Sequence, residues 1–542
     1  MSVFVQHTIR VIKQPYVLVV AGALLGISTA LPHLMWLTIL SLLPFFVLLE
    51  QSDYRTIAKH ALFFGLGFFG AAYWWFWGVY PLTWIGIENN AISFALLAFA
   101  WVITTGVLAL TMVLRAVAIR FLSNAHPRLH FLLAAGVWVL FEYVAALTFS
   151  IVWAGPQSMT GAHWTFGFLG YAVAEVPVLR SLATIGGVYL LSFTVVLIAA
   201  LLFIFITQWY TRQRIGHMRT VATVCATLVL FAVIGYTTAI SAPEGVKKEV
   251  MLLQTAFPSK INILSDAERV LRAHDILDVV DEAVLNGATP NILVFPEGLG
   301  ALNRVSQSRA IQTLDLLGRD NNTLILSPSN NVQNSEELIS SIVYIRARDG
   351  VLDVRNKQFL VSVGEYPPYI GIFLTSAVGA SEWFNRVYAL HGYHSVQDDP
   401  RLFKDREVGA LQCSEIISPT FYRMLAKDHA ILANAASHAA FSDRLMIREQ
   451  TLKMARLHAV ANDRFFIQSG NVAPSFVITN TGSIQSFLVG MGGIEIVHSE
   501  VHARATETPY TRFGEWFVYA LFVFIFLLII LRRKKFILKG NL

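Results

Sequence analysis

Long apolar runs alternate with short polar connections through the first 240 residues, and one more apolar run lies near the C-terminus. Each run approaches the ~20 residues that a helix needs to cross the hydrocarbon core of a bilayer. The pattern therefore predicts an integral membrane protein in which the first two runs are either separate spans or one bent hairpin. The predicted spans cover residues 16–32, 34–49, 61–80, 91–114, 130–153, 182–207, 220–240 and 515–531.

The pattern changes between the last two of these runs. There, short apolar stretches alternate with amphipathic ones, and none is long enough to span a bilayer. The predicted strands are 250–255, 291–297, 323–327, 430–434 and 464–469, with hairpins at 341–354 and 474–486, and the predicted helices are 266–285, 304–318, 419–426 and 441–462. Such alternation is typical of strands buried by helices in an α/β domain. We therefore expect three regions: a membrane domain of about seven helical spans over 1–242, an α/β domain over 243–512, and a final span with a basic tail over 513–542.

Composition supports the membrane assignment. The chain is 55% hydrophobic and 14% charged, and its mean hydropathy is +0.56. These values exclude an ordinary soluble enzyme and a disordered chain. The net charge of +6 does not predict a nucleic-acid partner, because the basic residues cluster in loops between the predicted spans.

The basic residues fall in alternate loops. Because cytoplasmic loops are enriched in Lys and Arg, this pattern predicts that both termini are cytoplasmic and that the α/β domain lies outside. In a bacterial cell that is the periplasmic or extracellular face of the inner membrane. The residues on the predicted cytoplasmic side are Arg10, Lys13, Arg55, Lys59, Arg115, Arg120, Arg128, Arg212, Arg214, Arg219 and Arg532 to Lys535.

Three groups in the α/β region carry the parts of an acyl-transfer site. Glu297 ends the stretch N-I-L-V-F-P-E, Lys357 follows a predicted hairpin, and Cys413 follows the stretch G-A-L-Q. A carboxylate, a cation and a thiol supply a base, an oxyanion partner and a nucleophile. Because each residue follows a predicted strand, and neighbouring strands end at one edge of a sheet, we expect the three to converge.

Cysteine usage agrees with a chemical role for one thiol. The chain has two cysteines: Cys225 lies within a predicted span and Cys413 in the α/β domain, so a disulfide between them is not expected. A thiol kept in an oxidising compartment is exposed to oxidation. A buried structural role is the alternative for Cys413.

The motifs around these residues resemble a known family. V-F-P-E, the stretch K-Q-F-L-V-S-V-G-E-Y-P over 357–367, and C-S-E at 413–415 are similar to the nitrilase or carbon-nitrogen hydrolase superfamily. The seven spans before the domain, the one after it and the stretch 170–193 resemble its membrane branch, the apolipoprotein N-acyltransferases. This resemblance implies an α-β-β-α sandwich for the exported domain.

The resemblance also implies a role for each group. Cys413 would attack a phospholipid ester to form a thioester, Glu297 would move protons, and Lys357 would stabilise the oxyanion together with a backbone N–H near Ser414. We expect Lys357 to lower the pKa of the thiol, which is about 8.5 in a free cysteine.

Two further carboxylates have supporting roles by the same resemblance. Glu365 would hold Lys357 or assist proton transfer, and Glu415 would lie in the same pocket wall.

The function that follows is transfer of an acyl chain from a membrane phospholipid to the N-terminal amine of a diacylglyceryl-cysteine lipoprotein. Two features depart from the family pattern: Ser414 stands where an aromatic residue is usual, and 434–441 replaces the N-D-x-W-F stretch. They leave open a membrane-anchored carbon-nitrogen hydrolase or acyltransferase with a different acceptor. A non-catalytic scaffold is disfavoured, because Glu297, Lys357 and Cys413 are all retained.

The apolar segment 366–390 is too irregular to be a span. It is interpreted either as ordinary packing or as an interfacial lid that touches lipid. The lipid-facing candidates are Phe373, Leu374, Trp383 and Phe384. The histidine pairs at 391–394 and 498–502 lack metal-site spacing, so neither a metal nor a cofactor is expected.

Overall fold

The computed structural model describes residues 14–51, 53–211, 218–241, 245–258, 266–298, 300–333, 337–391, 393–395, 407–442, 444–490 and 492–540. Arg10, Lys13, Arg212 and Arg214, which support the predicted orientation, lie outside these residues.

The N-terminal part is helical. Short helical turns connect some of its helices, at Trp74–Val79, Leu82–Ile85, Pro127–Leu129, Leu169–Val173 and Pro177–Arg180. The main helices are α1 (Pro15–Ala30), α2 (Met35–Leu49), α3 (Tyr54–Ala72), α4 (Asn90–Ala125), α5 (His130–Val152), α6 (Ala183–Thr211) and α7 (Met218–Ser241).

A helix coincides with every predicted span, and the first two are separate. Within the described residues, three helical stretches are long and apolar enough to cross a membrane, Asn90–Ala125, Pro127–Val152 and Ala183–Trp209. The end predicted for the third span is wrong: α3 stops at Ala72. The chain turns there because Tyr73 is buried and stacks on Phe149 with 5.2 Å between ring centroids.

The α/β domain follows, and its elements come in the predicted alternation. A one-turn helix at Ala301–Arg304 precedes α9. In chain order the elements are β1 (Val246–Thr255), α8 (Asp266–Leu285), β2 (Ile292–Val294), α9 (Gln307–Gly318), β3 (Leu324–Gln333), β4 (Glu337–Arg346), β5 (Gly350–Asn356), α10 (Tyr369–Ala377), α11 (Ser381–His391), β6 (Val408–Gln412), α12 (Pro419–Ala426), β7 (Ile431–Ser437), α13 (Leu445–Asn462), β8 (Phe465–Asn471), β9 (Ser475–Ile478), β10 (Ile484–Leu488) and β11 (Ile494–Ala503). Helices α14 (Pro509–Phe513) and α15 (Trp516–Gly540) end the chain.

The strands join into one sheet with two parallel groups. In the first, Val250 of β1 pairs with Ile292 of β2, which pairs with Leu324 of β3. In the second, β6, β7 and β8 pair in parallel. The predicted hairpin between β4 and β5 is present, and Gly350 takes the positive φ of +81° that its turn requires.

One strand was not predicted. β11 pairs antiparallel with β1 along its length, from Val246 opposite Ala503 to Thr255 opposite Ile494. The stretch H-S-E-V-H within it is polar and gives no apolar run, so its strand character comes from pairing rather than from its own pattern.

The side chains define four layers. Successive side chains of β1 point to opposite faces of the sheet. Met251 and Leu253 face α8 and α9. Val250 and Leu252 point to the other face, towards Ala433 and the second group of strands. The opposite face of that second group packs on α12 and α13. This order of helix, sheet, sheet and helix confirms the predicted α-β-β-α sandwich.

Helix α13 rests on the C-terminal ends of α1 and α3. Gln450 donates to the carbonyl of Ala72 at 3.2 Å, and Lys453 donates to the carbonyl of Leu31 at 2.6 Å. These bonds satisfy carbonyls that helix ends leave without an intrahelical partner. The α/β domain is therefore docked on the membrane domain through its second helix layer.

Candidate active site

Each predicted catalytic residue lies just beyond a strand, and the fold brings the three together. Lys357 directly follows β5, and its N–H extends the ladder by donating to the carbonyl of Ser340 at 2.8 Å. Glu297 lies three residues beyond β2, and Cys413 directly follows β6. The side chains meet at the edge where these strands end, as expected for convergent strand ends.

Lys357 holds two carboxylates. Its Nζ donates to Oε1 of Glu365 at 2.7 Å and to Oε1 of Glu297 at 3.1 Å, and its side chain is 1% exposed. Burial opposes the charge of Lys357, but the two carboxylates outweigh burial and raise the pKa of Lys357 well above its ordinary value. The site therefore contains a fixed cation.

Glu365 is held in place from two sides. Besides accepting from Lys357, it accepts from the N–H of Val361 through Oε2 at 2.7 Å. Burial raises the pKa of Glu365 against the opposing effect of Lys357. A carboxylate with a raised pKa beside a lysine can orient that lysine and exchange a proton.

Cys413 begins a helical turn, Cys413–Ile417, in a left-handed backbone conformation with φ of +44°. Its Sγ lies 3.6 Å from the carbonyl oxygen of Ser437, to which the thiol donates. A residue other than glycine is strained in this conformation, because its Cβ comes too close to the following carbonyl oxygen. Such strained residues cluster at functional sites.

The expectation of a lowered pKa for this thiol is wrong for the free enzyme, although the charge of Lys357 does act in that direction. Burial and the charge of Glu297 raise the pKa of Cys413, and the opposing effect of Lys357 is smaller. The thiol is therefore protonated at neutral pH. A base must remove its proton during the reaction, and Glu297 is the neighbouring carboxylate.

Ser414 and Glu415 follow the thiol but turn inward. The hydroxyl of Ser414 donates to the carbonyl of Phe359 at 2.7 Å. Glu415 is fully buried and accepts from the N–H of Gln412 at 2.9 Å and from Arg355 at 3.2 Å. Both residues therefore fix the backbone that carries Cys413 and Lys357.

The apolar segment beyond Pro367 forms the two helices α10 and α11. Their start is fixed to the end of α5, since the N–H of Tyr369 donates to the carbonyl of Ala154 at 2.8 Å. Phe373 is 72% exposed, Leu374 and Trp383 are also exposed, and Phe384 is half-buried. Three of the four predicted lipid-facing residues are thus exposed, and their contact with lipid stays a prediction.

Sequence reasoning missed two residues of the site. Arg355 pairs with Glu415 behind Lys357, and the carbonyl of Ser437 receives the thiol. An arginine two residues before the lysine could have suggested a buried partner for one of the later acids. The contact of the Ser437 carbonyl could not be predicted from the sequence, because every residue has a backbone carbonyl.

A sandwich of this layering, with a glutamate, a lysine and a cysteine at the strand ends, defines a nitrilase-like domain carried by membrane helices. The model of the apolipoprotein N-acyltransferase N-terminal domain matches residues 21–201. Together with the relatives below, this match confirms the resemblance of the chain to the apolipoprotein N-acyltransferases.

The similar proteins cover both parts of the chain. An apolipoprotein N-acyltransferase of Pseudomonas putida is 25% identical over 91% of this chain and 92% of its own length. Those of Azotobacter vinelandii and Synechocystis are 24% and 22% identical over 95% and 85% of this chain.

The two solved structures described next match about half of the chain. A carbon-nitrogen hydrolase from Helicobacter pylori is 15% identical and covers 47% of this chain and 89% of its own, with a TM-score of 0.34. A Nesterenkonia amidase of the nitrilase superfamily is 17% identical and covers 51% of this chain and 98% of its own, with a TM-score of 0.34.

Proposed function

We propose that this protein transfers an acyl chain from a membrane phospholipid, through a thioester on Cys413, to the N-terminal amine of a diacylglyceryl-cysteine lipoprotein. The observation that carries the proposal is the buried Lys357 ammonium, bound to Glu297 and Glu365 beside a strained cysteine. The docking of this site on apolar helices supports a membrane lipid as the donor.

In the first half-reaction, the proton of the Cys413 thiol passes to Glu297, and the sulfur attacks the carbonyl carbon of the ester. The ester oxygen becomes an oxyanion, which the Lys357 ammonium stabilises. The carbon–oxygen bond then breaks, and Glu297 returns its proton to the leaving alcohol. The products are a lysophospholipid and an acyl-enzyme.

In the second half-reaction, the α-amine of the acceptor attacks the thioester carbonyl. Glu297 takes the proton that the amine loses, Lys357 again stabilises the oxyanion, and the carbon–sulfur bond breaks. The proton on Glu297 returns to the thiolate, so the enzyme is regenerated and an amide is formed. No cofactor is needed for either step, since each bond broken is matched by a bond formed.

An amine that arrives from the membrane suits this site better than water. The thiol is half-buried, and the exposed apolar residues of α10 and α11 follow Glu365 in the chain, with α10 beginning at Tyr369. A site closed by an apolar lid excludes bulk water and protects a reactive intermediate.

The test begins with intact-mass analysis of protein purified from membranes, since the wild type should carry an acyl adduct that Cys413→Ala lacks. The preformed acyl-enzyme is then mixed with a diacylated lipopeptide that has a free N-terminal cysteine amine, with its N-acetylated copy, or with buffer. Fast decay with the free amine alone supports the proposal. Equal decay in all three rejects the lipoprotein acceptor.

That second outcome would favour a carbon-nitrogen hydrolase or an acyltransferase with a different acceptor. One observation favours this alternative: the stretch 434–441, which departs from the family pattern, includes the end of β7. The carbonyl of Ser437, to which the Cys413 thiol donates, lies in this stretch.

The proposed compartment and domain limits follow from the apolar runs and from the basic residues in alternate loops. We propose a membrane domain over 1–242, a catalytic domain over 243–512 on the periplasmic or extracellular face, and a final span over 513–542, with both termini in the cytoplasm. Accessibility of single introduced cysteines to an impermeant reagent tests this. Labelling of a residue beside Glu297 in intact cells supports it, and labelling only after lysis contradicts it.

A further inference from the structure

Three consecutive residues of the loop after α5 contact the α/β domain close to the turn that carries Cys413. Nδ1 of His163 lies 2.9 Å from the hydroxyl of Ser418, and the ring of Trp164 lies 5.2 Å from that of Phe359. Thr165 donates to the carbonyl of Ile417 at 2.7 Å. This loop belongs to the membrane domain, whereas the nucleophile turn Cys413–Ile417 belongs to the α/β domain.

The direction of the hydrogen bonds at Thr165 is fixed by its surroundings. The Thr165 hydroxyl has one hydrogen, and a carbonyl can only accept, so that hydrogen goes to Ile417. The hydroxyl of Tyr171, 2.7 Å away, must therefore donate to Thr165. Thr165 is fully buried, so neither bond competes with bulk water.

The loop is in turn fixed to the helices of the membrane domain. Glu142 of α5 accepts from the N–H of Leu169 at 2.8 Å, and Ser192 of α6 accepts from the N–H of Gly170 at 2.8 Å. Each of these polar groups is buried. A displacement of α5 or α6 would therefore be transmitted to Thr165 through a few rigid bonds.

The nucleophile needs such support because its backbone is strained. A non-glycine residue keeps a left-handed conformation only where its surroundings over-determine it. Within the turn that starts at Cys413, the carbonyl of Ile416 is bound by His458 of α13 at 2.7 Å, and the next carbonyl, of Ile417, is bound by Thr165. One of the two carbonyls is thus held by the α/β domain and the other by the membrane domain.

We propose that Thr165 is a positioning residue for Cys413, through which the membrane domain sets the geometry of the nucleophile. The inference rests on the proposed acyl transfer through Cys413. The hydrogen bond from Thr165 to Ile417 affects how the sulfur is aligned with Lys357 and the ester. Loss of this bond therefore slows acyl-enzyme formation without weakening lipid binding.

The experiment compares Thr165→Val, Thr165→Ser and Thr194→Val, all in a Cys225→Ala background so that Cys413 is the only thiol. Thr165→Val removes the hydroxyl at nearly constant volume, and Thr165→Ser keeps it. Thr194 is the matched control: it is buried in α6, and its hydroxyl donates only to its own helix at Leu190. The readouts are the single-turnover rate of acyl-enzyme formation, the KM for phospholipid vesicles, and the rate of Cys413 alkylation by iodoacetamide without lipid.

We expect Thr165→Val to slow acyl-enzyme formation by roughly 10- to 100-fold, the size that a small misplacement of a reacting group produces, with KM unchanged. Alkylation should slow as well, because a displaced sulfur loses part of the stabilisation that Lys357 gives the thiolate. Thr165→Ser and Thr194→Val should stay within about twofold of the wild type on all three readouts, since the first keeps the bond and the second never made it.

The inference is overturned if Thr165→Val matches the wild type, if Thr165→Ser is as slow as Thr165→Val, or if Thr194→Val slows the reaction equally. A wild type that forms no acyl-enzyme would refute the proposed function instead. In that case the alkylation rates still decide the inference, because they need no lipid: equal rates in Thr165→Val and Thr165→Ser overturn it.

Discussion

Arg355 and Glu415 form an ion pair at 3.2 Å in which the two side chains are 1% and 0% exposed. The same carboxylate accepts from the N–H groups of Gln358 and Gln412, at 3.1 and 2.9 Å. One of these residues follows Lys357 and the other precedes Cys413. A single buried carboxylate therefore ties the segment that carries Lys357 to the segment that carries Cys413.

Removal of that carboxylate should be costly. In Glu415→Ala, the buried Arg355 loses its counter-charge and two N–H groups lose their acceptor, so we expect about 3–5 kcal/mol of lost stability. The measurement is chemical unfolding in detergent. The control is Glu500→Ala, which breaks the exposed pair with Lys247 and should cost less than about 1 kcal/mol. Similar losses in both variants would show that the buried pair has no special role.

The two cysteines should behave in opposite ways. Cys413→Ala should abolish the acyl adduct and turnover, because it removes the sulfur that we propose forms the thioester. Cys225→Ala should leave both nearly unchanged, since that residue lies in α7, away from the strand ends. Cys413→Ser is expected to trap an oxygen ester, which amines attack less readily than a thioester. Turnover by Cys413→Ala at the wild-type rate would rule out the covalent mechanism.

Much of the α/β domain could be predicted because its elements have clear periodic patterns. Helix α12 has the predicted limits 419–426, and α8 begins at Asp266 as expected. The predicted start of α13 at 441 was too early. Helix α13 begins at Leu445, because Ser442 instead binds the carbonyl of Gly78, a contact across 364 residues of sequence.

The remaining features of the site depend on contacts that no local pattern encodes. Thr165 and Ile417 are 252 residues apart, so their hydrogen bond has no signature in either stretch. The pKa of Cys413 likewise has no signature in the local sequence. A lysine in the sequence suggests a lowered value, but burial and Glu297 determine the direction, and both depend on the assembled site.

The raised pKa of Cys413 leads to a prediction about alkylation. A free thiol has a pKa of about 8.5, so its alkylation rate levels off above that pH. In the folded protein, burial and Glu297 favour the protonated form, so the rate should be low and should still rise with pH from 7 to 10. The measurement uses iodoacetamide on Cys225→Ala, with the unfolded protein as the control that levels off. A plateau near pH 8.5 or below in the folded protein would contradict the raised pKa.

Folding stability should respond to the same group. Because the folded-state pKa lies above the unfolded value, the contribution of the neutral thiol is complete below about pH 8.5 and is lost as the pH rises towards the folded-state pKa. Cys413→Ala should therefore lose less stability between pH 8 and 10 than the protein with the thiol. Identical slopes in the two proteins would show that the pKa of Cys413 is the same folded and unfolded.

The exposed face of α10 and α11 gives a prediction about lipid capture. Phe373 is 72% exposed, and the segment starts where the hydroxyl of Tyr366 donates to the carbonyl of Trp153 at 3.0 Å, just past the end of α5. We propose that this anchor holds the two helices at the membrane surface, where burial of a Phe side chain in lipid stabilises by about 1.5–3 kcal/mol. Phe373→Ser should therefore raise the KM for phospholipid in vesicles about tenfold and leave kcat unchanged, because the contact precedes the chemistry.

The control for that change is Phe487→Ser on β10, another exposed phenylalanine, which lies in the hairpin with β9 rather than in α10 or α11. It should leave the KM for vesicles unchanged. A short-chain ester that is soluble as a monomer provides the second control, because it does not have to be taken from a bilayer, and its KM should be the same in all three proteins. If Phe373→Ser raised both KM values equally, the residue would contact the acyl chain inside the site. If it raised neither, the two helices would not act as a lipid-facing lid.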